Sequence, residues 1–282
     1  MPASKVKNIV ILILLVVNVL LLCLVVPLAQ ERQQQRQAAV AELEAMFARY
    51  GVLLDAGGLP ETRVLYTVEF SPDEQAAQPA MQALLGEMVL MENDSTRYLQ
   101  IYRSEQGTCQ LSRDGSLEAR LQDREAAGDL REAAAGEAEA MGLMVAEVSQ
   151  PERSSAGVFT VTTVQQLLEV PVFSASLHCT FHNGVLTRMA GTAYFDTSGL
   201  VRTDDETCCT AADALVAFLG SRTDLGWVGA SVTGVQQGYL RAETASAAVV
   251  RLVPGWRIAT DTGDFWVSGI DRQVSALRVD GG

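Results

Sequence analysis

The sequence predicts an α+β protein in which a single N-terminal transmembrane helix precedes two units that each lay one helix on an antiparallel sheet. Residues 9–26 form an apolar run without a charged side chain. Beyond that run, alternation of apolar and polar residues recurs, as expected of half-buried strands. A Val-Pro-x-aromatic sequence occurs twice, as Val170-Pro171-Val172-Phe173 and as Val253-Pro254-Gly255-Trp256. Such a recurrence favours an internal duplication.

The apolar run has the length of a membrane-spanning helix. At about 1.5 Å per residue its 18 residues would span roughly 27 Å, close to the thickness of the hydrocarbon core of a bilayer. Lys5 and Lys7 precede it, and basic residues favour the cytoplasmic side. We therefore predict a cytoplasmic tail at residues 1–8, a transmembrane anchor at residues 9–29, and a single-pass protein of the cell membrane with the bulk of its chain extracytoplasmic.

A cleaved signal peptide is the alternative, because Pro27-Leu28-Ala29 loosely resembles a processing site. The run exceeds the usual apolar length of such peptides, and Pro27 stands where cleavage requires a small residue. Asn18 is the one amide in the run. In hydrocarbon, a hydrogen bond to a partner helix is worth roughly 0.6 to 2 kcal/mol, which makes Asn18 the predicted contact with such a helix. The alternative is a tolerated amide without a partner.

The net charge of the chain limits the classes of partner that it can bind. The chain has 282 residues, with 34 acidic against 21 basic residues and a net charge of −13. A surface of this sign repels phosphate backbones, which excludes nucleic acid as a partner. The length favours two domains beyond the anchor. The predicted boundaries are 30–121 for a juxtamembrane helix with a first α+β region, 122–200 for an α+β unit and 201–282 for a second α+β unit.

The elements of the first region follow from periodicity. Residues 33–50 have the apolar spacing of a helix, and residues 63–70 alternate as a strand. Ser71-Pro72-Asp73-Glu74 resembles the start of a helix, and Pro79 either kinks that helix or marks its true beginning. Strands are predicted at 98–103, 107–113 and 116–121, and the last two are joined by the turn-forming pair Asp114-Gly115.

The remaining elements are assigned in the same way. Residues 122–141 are rich in alanine and glutamate and predict a helix, and a second helix begins at Thr210, with Asp213 completing a capping box, and ends at Gly220. His182-Asn183-Gly184 predicts a hairpin turn. Strands are predicted at 143–149, 157–167, 173–181, 185–194, 227–237, 239–253, 256–260, 265–270 and 274–279.

Four cysteines lie beyond the apolar run, at Cys109, Cys179, Cys208 and Cys209. Neighbouring cysteines rarely pair with each other, so in an oxidising compartment one scheme joins Cys208 and Cys209 to Cys109 and Cys179 in either order. The alternative is four buried free thiols, because a chain of this length does not need disulfides.

No catalytic or metal-binding pattern emerges. His178 and His182 lie on a predicted strand, where four residues separate them by about 13 Å and exclude chelation by this pair alone. The sequence around Ser231 lacks the second glycine of a nucleophile elbow. Asp261-Thr262-Gly263-Asp264 fits a tight turn better than a calcium loop. We predict a protein that is not an enzyme and needs no cofactor or metal.

Two segments carry a resemblance. Ser4-Lys5-Val6-Lys7-Asn8 followed by the apolar run with Asn18 resembles the amino terminus of the YycH and YycI proteins of Gram-positive bacteria. The segment from Val253 to Ile258, followed by Phe265-Trp266-Val267, is similar to the end of YycI. The resemblance implies a membrane-anchored accessory regulator of a WalK (YycG)-type sensor histidine kinase, which acts in cell-envelope homeostasis through protein–protein contacts.

The partners that the resemblance implies are the sensor kinase and a paralogous regulator. The predicted anchor makes the lipid bilayer a partner, and a homodimer is a further alternative. Two other classes of function compete with it. The predicted layout also resembles PepSY and cystatin-like domains, which favours an exported inhibitor or interaction module. An envelope hydrolase with a pair of carboxylates is less favoured, because no such pair is evident from the sequence.

Overall fold

The computed structural model describes residues 13–15, 17–18, 34, 37–55, 58–72, 75–94, 99–126, 128–197, 199–244, 246 and 249–277. The helices in this part of the chain are α1 (37–49), α2 (Gln78–Leu85), α3 (Leu130–Ala140) and α4 (Ala211–Gly220). The strands are β1 (Leu53–Leu54), β2 (Val68–Phe70), β3 (Val89–Asp94), β4 (Leu99–Ser104), β5 (Gly107–Ser112), β6 (Ser116–Glu125), β7 (Val145–Val148), β8 (Glu152–Ser155), β9 (Val158–Leu167), β10 (Val170–His182), β11 (Val185–Thr192), β12 (Val201–Arg202), β13 (Ser231–Ala242), β14 (Val250–Thr260), β15 (Gly263–Ser268) and β16 (Val274–Ala276).

The described strands form one mixed sheet, whose main path runs β12-β2-β14-β13-β10-β11-β6-β5-β4-β3. Two antiparallel parts meet where β10 runs parallel to β13, with Val172 paired to Tyr239. On the other side of β13, Tyr239 pairs with Pro254 of β14. The two Val-Pro-x-aromatic segments therefore flank the same tyrosine at the junction of the sheet.

The predicted fold class is wrong. The described part of the chain is mostly a large mixed sheet with short helices, not two separate units that each lay one helix on an antiparallel sheet. The two Val-Pro-x-aromatic segments lie instead on either side of one strand, β13, where the backbones approach closely. A Cβ on Gly238 would lie 2.5 Å from the Pro171 carbonyl oxygen, which explains the glycine beside this junction.

The predicted membrane location is also contradicted. Within the described residues, the chain contains no helix with both the length and the apolarity that a membrane crossing requires. Of the segment assigned as an anchor, residues 13–15 and 17–18 are described, and they are helical and exposed. The tail at 1–8, the flanking lysines, Cys23 and the other residues of 9–29 lie outside the described residues.

The buried residues form two core clusters. In the first, α1 and α4 contribute Leu43, Phe47 and Phe218, which pack with Tyr239 and Trp256 of the sheet. In the second, α2 and α3 contact each other and cover the sheet part around β5, β6, β9, β10 and β11. Each cluster combines segments that are distant in sequence. The predicted domain boundaries stay a prediction.

Local signals locate several elements correctly. The capping box at the start of α4 is confirmed, because the Thr210 hydroxyl accepts a hydrogen bond from the Asp213 amide at 3.2 Å and the Asp213 carboxylate accepts one from the Thr210 amide at 3.3 Å. The helix predicted at 122–141 is shorter, since residues up to Glu125 extend β6 opposite Val185 of β11. The strand end predicted near residue 237 is wrong, because β13 continues through Gly238 to Ala242.

Candidate functional site

The strand β3 lies at the end of the main path of the sheet. Among the described strands, it pairs only with β4. Three consecutive apolar side chains of β3 are exposed: Val89 by 64 %, Leu90 by 41 % and Met91 by 57 %. Because neighbouring residues of a strand point to opposite faces, apolar surface is present on both faces. We call residues Val89–Asp94 the β3 edge.

The path of the chain explains how the β3 edge becomes exposed. The helix α2 ends at Leu85 and is capped by Gly86, whose φ of 68° turns the backbone away and whose amide donates to the Gln82 carbonyl at 2.8 Å. The strand then pairs Leu90 with Tyr102, and the register shifts between Leu90 and Glu92. Met91 is thus the additional residue of a bulge, a feature that bends an edge strand locally.

Proteins commonly protect edge strands with charges, prolines, bulges or covering segments, and three consecutive exposed apolar residues are unusual on such a strand. Here the apolar residues are flanked by the exposed carboxylates Glu87 and Glu92. Because β4 is the only described strand that pairs with it, the edge has backbone groups without a strand partner among the described residues, and it presents apolar surface beside negative charge. It can accept an added strand that alternates apolar and basic side chains.

A second cluster surrounds Arg257 of β14. Its guanidinium donates to both oxygens of Glu147, at 3.0 and 3.3 Å, and to Gln236 Oε1 at 2.6 Å. Asp264 Oδ2 lies 3.8 Å from Arg257 Nε, and the ring of Phe173 lies 4.7 Å from the guanidinium carbon. Glu147 and Asp264 thus form a pair of carboxylates around one arginine, which contacts both. These contacts link β7 to β14 and β15.

The Asp264 carboxyl has a pKa above its ordinary value, because burial disfavours its charge and Glu147 adds to this, while Arg257 opposes it. A raised pKa in the folded state means that the protonated form favours folding. This contribution to stability is complete below the ordinary value of 3.8 and is lost as the pH rises through the pKa of the folded state.

We therefore expect Asp264→Asn, which resembles the protonated acid, to be more stable than the parent at pH 7. The advantage will shrink as the pH falls through the raised pKa of the folded state, and it will be lost below 3.8, where the parent carboxyl is protonated in both states. Urea unfolding midpoints of parent and variant at pH 7 and at a pH below 3.8 measure the advantage. Asp224→Asn, at an exposed position, is the control. An equal advantage at both pH values would contradict the expectation.

The four cysteines that were considered for disulfides are free thiols in the structure. Cys109 of β5 and Cys179 of β10 belong to one row across the sheet, in which Cys109 pairs with Ala119, Ala119 with Met189, and Met189 with Cys179. Three strand spacings separate them by roughly 14 Å. Burial raises the pKa of each thiol to about 12. Cys208 and Cys209 belong to the other core, and the disulfide pairing stays a prediction.

The two histidines lie along β10, as predicted, and His178 Nδ1 is 2.9 Å from the Thr162 hydroxyl. The described residues include no group of three histidine, cysteine or acidic side chains that could hold a metal ion. Ser231 begins β13. Asp261 lies in a turn between β14 and β15, and its carboxylate accepts from the Ala230 amide at 2.8 Å.

Asn18 is described and exposed, and its side-chain amide donates to the Leu14 carbonyl at 2.8 Å. This bond lies within its own helical turn and does not test a contact with a partner helix. The β3 edge and the Arg257 cluster were both missed by sequence analysis. The apolar run Val89-Leu90-Met91 was a usable signal for a strand, but its exposure depends on the strand order.

No protein-family model matches the sequence, and a comparison with curated proteins finds no match. The resemblance to YycH and YycI consequently stays a prediction.

Proposed function

We propose that this protein is a non-catalytic accessory regulator that acts through protein–protein contacts, with the β3 edge as its binding surface. The observation that carries the proposal is the exposure of Val89, Leu90 and Met91 on the strand that ends the sheet. Exposed apolar surface on a strand at the end of a sheet favours strand addition, in which backbone hydrogen bonds supply affinity and side chains supply selectivity.

The partner segment follows from the chemistry of the edge. Glu87 and Glu92 flank the apolar residues, so an extended segment with apolar and basic side chains fits this surface. A second copy fits less well, since each chain carries a net charge of −13. The resemblance to YycI makes a WalK-type sensor histidine kinase the first partner to test.

Regulation by binding requires a difference between two states of the partner. A bound regulator shifts a kinase between signalling states only by the difference in its binding free energies for them. An added strand supplies such a difference if the receiving segment is extended in one state and folded away in the other. The proposal therefore requires no catalytic group on the regulator.

We expect Met91→Lys to reduce co-purification with a co-expressed WalK-type kinase at least tenfold. The lysine places positive charge against a basic partner segment and removes apolar contact surface. Quantitative recovery of the kinase on the tagged full chain measures the effect. Val228→Lys is the matched control, because Val228 is 87 % exposed and lies in the loop between α4 and β13, away from the β3 edge.

The outcomes separate the two parts of the proposal. If the parent chain recovers the kinase and Met91→Lys recovers it equally well, the β3 edge is not the binding surface. If the parent chain does not recover the kinase, the kinase is not the partner. Dimerisation of the parent chain that Met91→Lys abolishes would identify a second copy as the occupant and overturn the proposed partner segment.

A further inference from the structure

The sheet part that carries the β3 edge has one covered face and one open face. The helices α2 and α3 pack on the covered face, whose buried residues include Tyr102, Ala119 and Met189. Successive side chains of a strand point to opposite faces. Arg103, Arg120 and Arg188 are direct neighbours of those residues in sequence and therefore lie on the other face, which we call the open face.

One row of cross-strand pairs on the open face contains all three arginines. Across β4, β5, β6, β11, β10 and β9 in turn, the members of this row are Arg103, Thr108, Arg120, Arg188, Thr180 and Thr160. Paired residues of neighbouring strands share a face of the sheet. With strands about 4.8 Å apart, the three arginines occupy a length of about 14 Å. We call Arg103, Arg120 and Arg188 the arginine row.

The arginine row is costly for the fold. Arg120 and Arg188 are directly opposite each other, and like charges in that position destabilise a pair of strands. The only described carboxylate within ion-pair distance of them is that of Glu118, whose Oε1 lies 3.6 Å from Arg120 Nη2 and 3.4 Å from Arg188 Nε. Arg103 forms no ion pair with a described residue. Three cations thus share one carboxylate, in a chain whose net charge is −13.

The arginines of the row are accessible to an external anion. The side chain of Arg120 is 78 % exposed, that of Arg188 is 45 % exposed, and Arg103 is exposed as well. Both contacts with Glu118 exceed the usual length of a hydrogen bond, about 2.7 to 3.2 Å. They leave guanidinium N–H groups open to a carboxylate or phosphate, which arginine binds through two parallel N–H donors.

Acidic residues limit the positive surface at both ends. On one side, the exposed Glu92 of β3 pairs with Ile101, the neighbour of Arg103 on the same face two residues before it. On the other side, Thr160 pairs with Glu152 of β8. A polymer with charge along its whole length, such as a nucleic acid, would meet these carboxylates beyond the row. The arrangement therefore favours a short anionic occupant.

We propose that the arginine row binds a short acidic segment of a partner protein, extended across the strands of the open face. In an extended chain, alternate side chains share a face, so three acidic residues at alternate positions span about 13 Å. This span is close to the length of the row. Thr108 lies between Arg103 and Arg120, where its hydroxyl adds a group that can bond to the segment.

This surface is independent of the β3 edge. The edge offers backbone groups to an added strand, whereas the arginine row offers side chains on a sheet face. A binding assay that contains no kinase tests the arginine row alone, so its result does not depend on the partner proposed for the β3 edge.

The probe is a synthetic peptide of five Glu-Thr repeats with an uncharged fluorophore, and fluorescence anisotropy measures its binding to the full chain. We expect it to bind at least roughly fivefold more tightly than a peptide of five Gln-Thr repeats, because exposed ion pairs form. Arg120→Gln will weaken binding of the Glu-Thr peptide by about threefold. Arg49→Gln is the matched control, because Arg49 is exposed on α1, away from the open face, and the same charge is removed.

Glu118→Gln tests the same surface with the opposite sign. The change removes the carboxylate that competes with the peptide for Arg120 and Arg188, so binding will strengthen by about threefold. Glu42→Gln, at an exposed position of α1, makes the same change of net charge and will alter binding by less than about twofold.

Three results would overturn the proposal. One is equal binding of the Glu-Thr and Gln-Thr peptides, and another is an equal effect of Arg120→Gln and Arg49→Gln. The third is tighter binding of an oligothymidylate than of the Glu-Thr peptide, weakened by Arg120→Gln, which would identify a phosphate polymer as the occupant. Because Glu118→Gln retains every arginine, its stronger binding supports the proposal even where Arg120→Gln fails to fold.

Discussion

Trp256→Ala will lower the free energy of unfolding by about 4 kcal/mol or more. Trp256 is fully buried at the centre of the first core, and truncation of a buried tryptophan leaves a large cavity that costs about 3 to 5 kcal/mol. Its indole also donates to the Cys209 carbonyl at 2.9 Å, and loss of the donor adds to the penalty. This loss is comparable with the whole stability of many domains.

Urea unfolding followed by circular dichroism measures the change without relying on the fluorescence of the removed indole. Trp256→Phe keeps most of the apolar volume but removes the donor, and we expect it to cost about 1 to 3 kcal/mol. Val228→Ala, at an exposed position, will change stability by less than about 0.5 kcal/mol. A loss below roughly 1.5 kcal/mol for Trp256→Ala would contradict the burial of its ring.

Local patterns located individual elements because their causes are local. The hairpin between β5 and β6 follows from Asp114-Gly115, where Gly115 adopts a φ of 90°, and the capping box fixes the start of α4. Both depend on residues within a few positions of each other. The strand break predicted between residues 237 and 239 was wrong, since Gly238 lies within β13 and allows a close approach to Pro171 of a different strand.

The periodicity of the sequence could not predict the order of the strands. Alternation predicts that a segment is half-buried but does not state which strand pairs with it, and the parallel contact between Val172 and Tyr239 joins parts that are far apart in sequence. The helix-on-sheet units were predicted because the two Val-Pro-x-aromatic segments were interpreted as equivalent positions of a repeat. In the structure they are positions on either side of β13.

The same limit applies to the candidate site. Val89, Leu90 and Met91 are as apolar as core residues, and only the position of β3 at the end of the sheet exposes them. The sequence identified the adjacent cysteines, but it could not assign burial to Cys208 and exposure to Cys209. That difference arises from Gly269, which encloses one sulfur from a turn about 60 residues away along the chain.

Gly191→Ala will lower the free energy of unfolding by about 2 to 6 kcal/mol. Gly191 has a φ of 145°, and a Cβ there would lie 2.0 Å from the Ser176 carbonyl oxygen. Its strand is central, because Gly191 pairs with Leu177 of β10 on one side and with Leu117 of β6 on the other. Backbone strain and overpacking each cost roughly 1 to 3 kcal/mol, and neither neighbouring strand can withdraw without losing its own pairing.

Gly136→Ala is the matched control, with the same added methyl group in a different setting. Gly136 lies within α3, has an ordinary helical backbone, and a Cβ there would have no other atom within 4 Å. Alanine is the better helix former by about 0.8 to 1 kcal/mol, so this variant will be more stable than the parent. Opposite signs for the two variants in urea unfolding would support the pairing of β11 between β10 and β6. If Gly191→Ala behaves like Gly136→Ala, β11 does not lie between those two strands, and the main path of the sheet is wrong at this point.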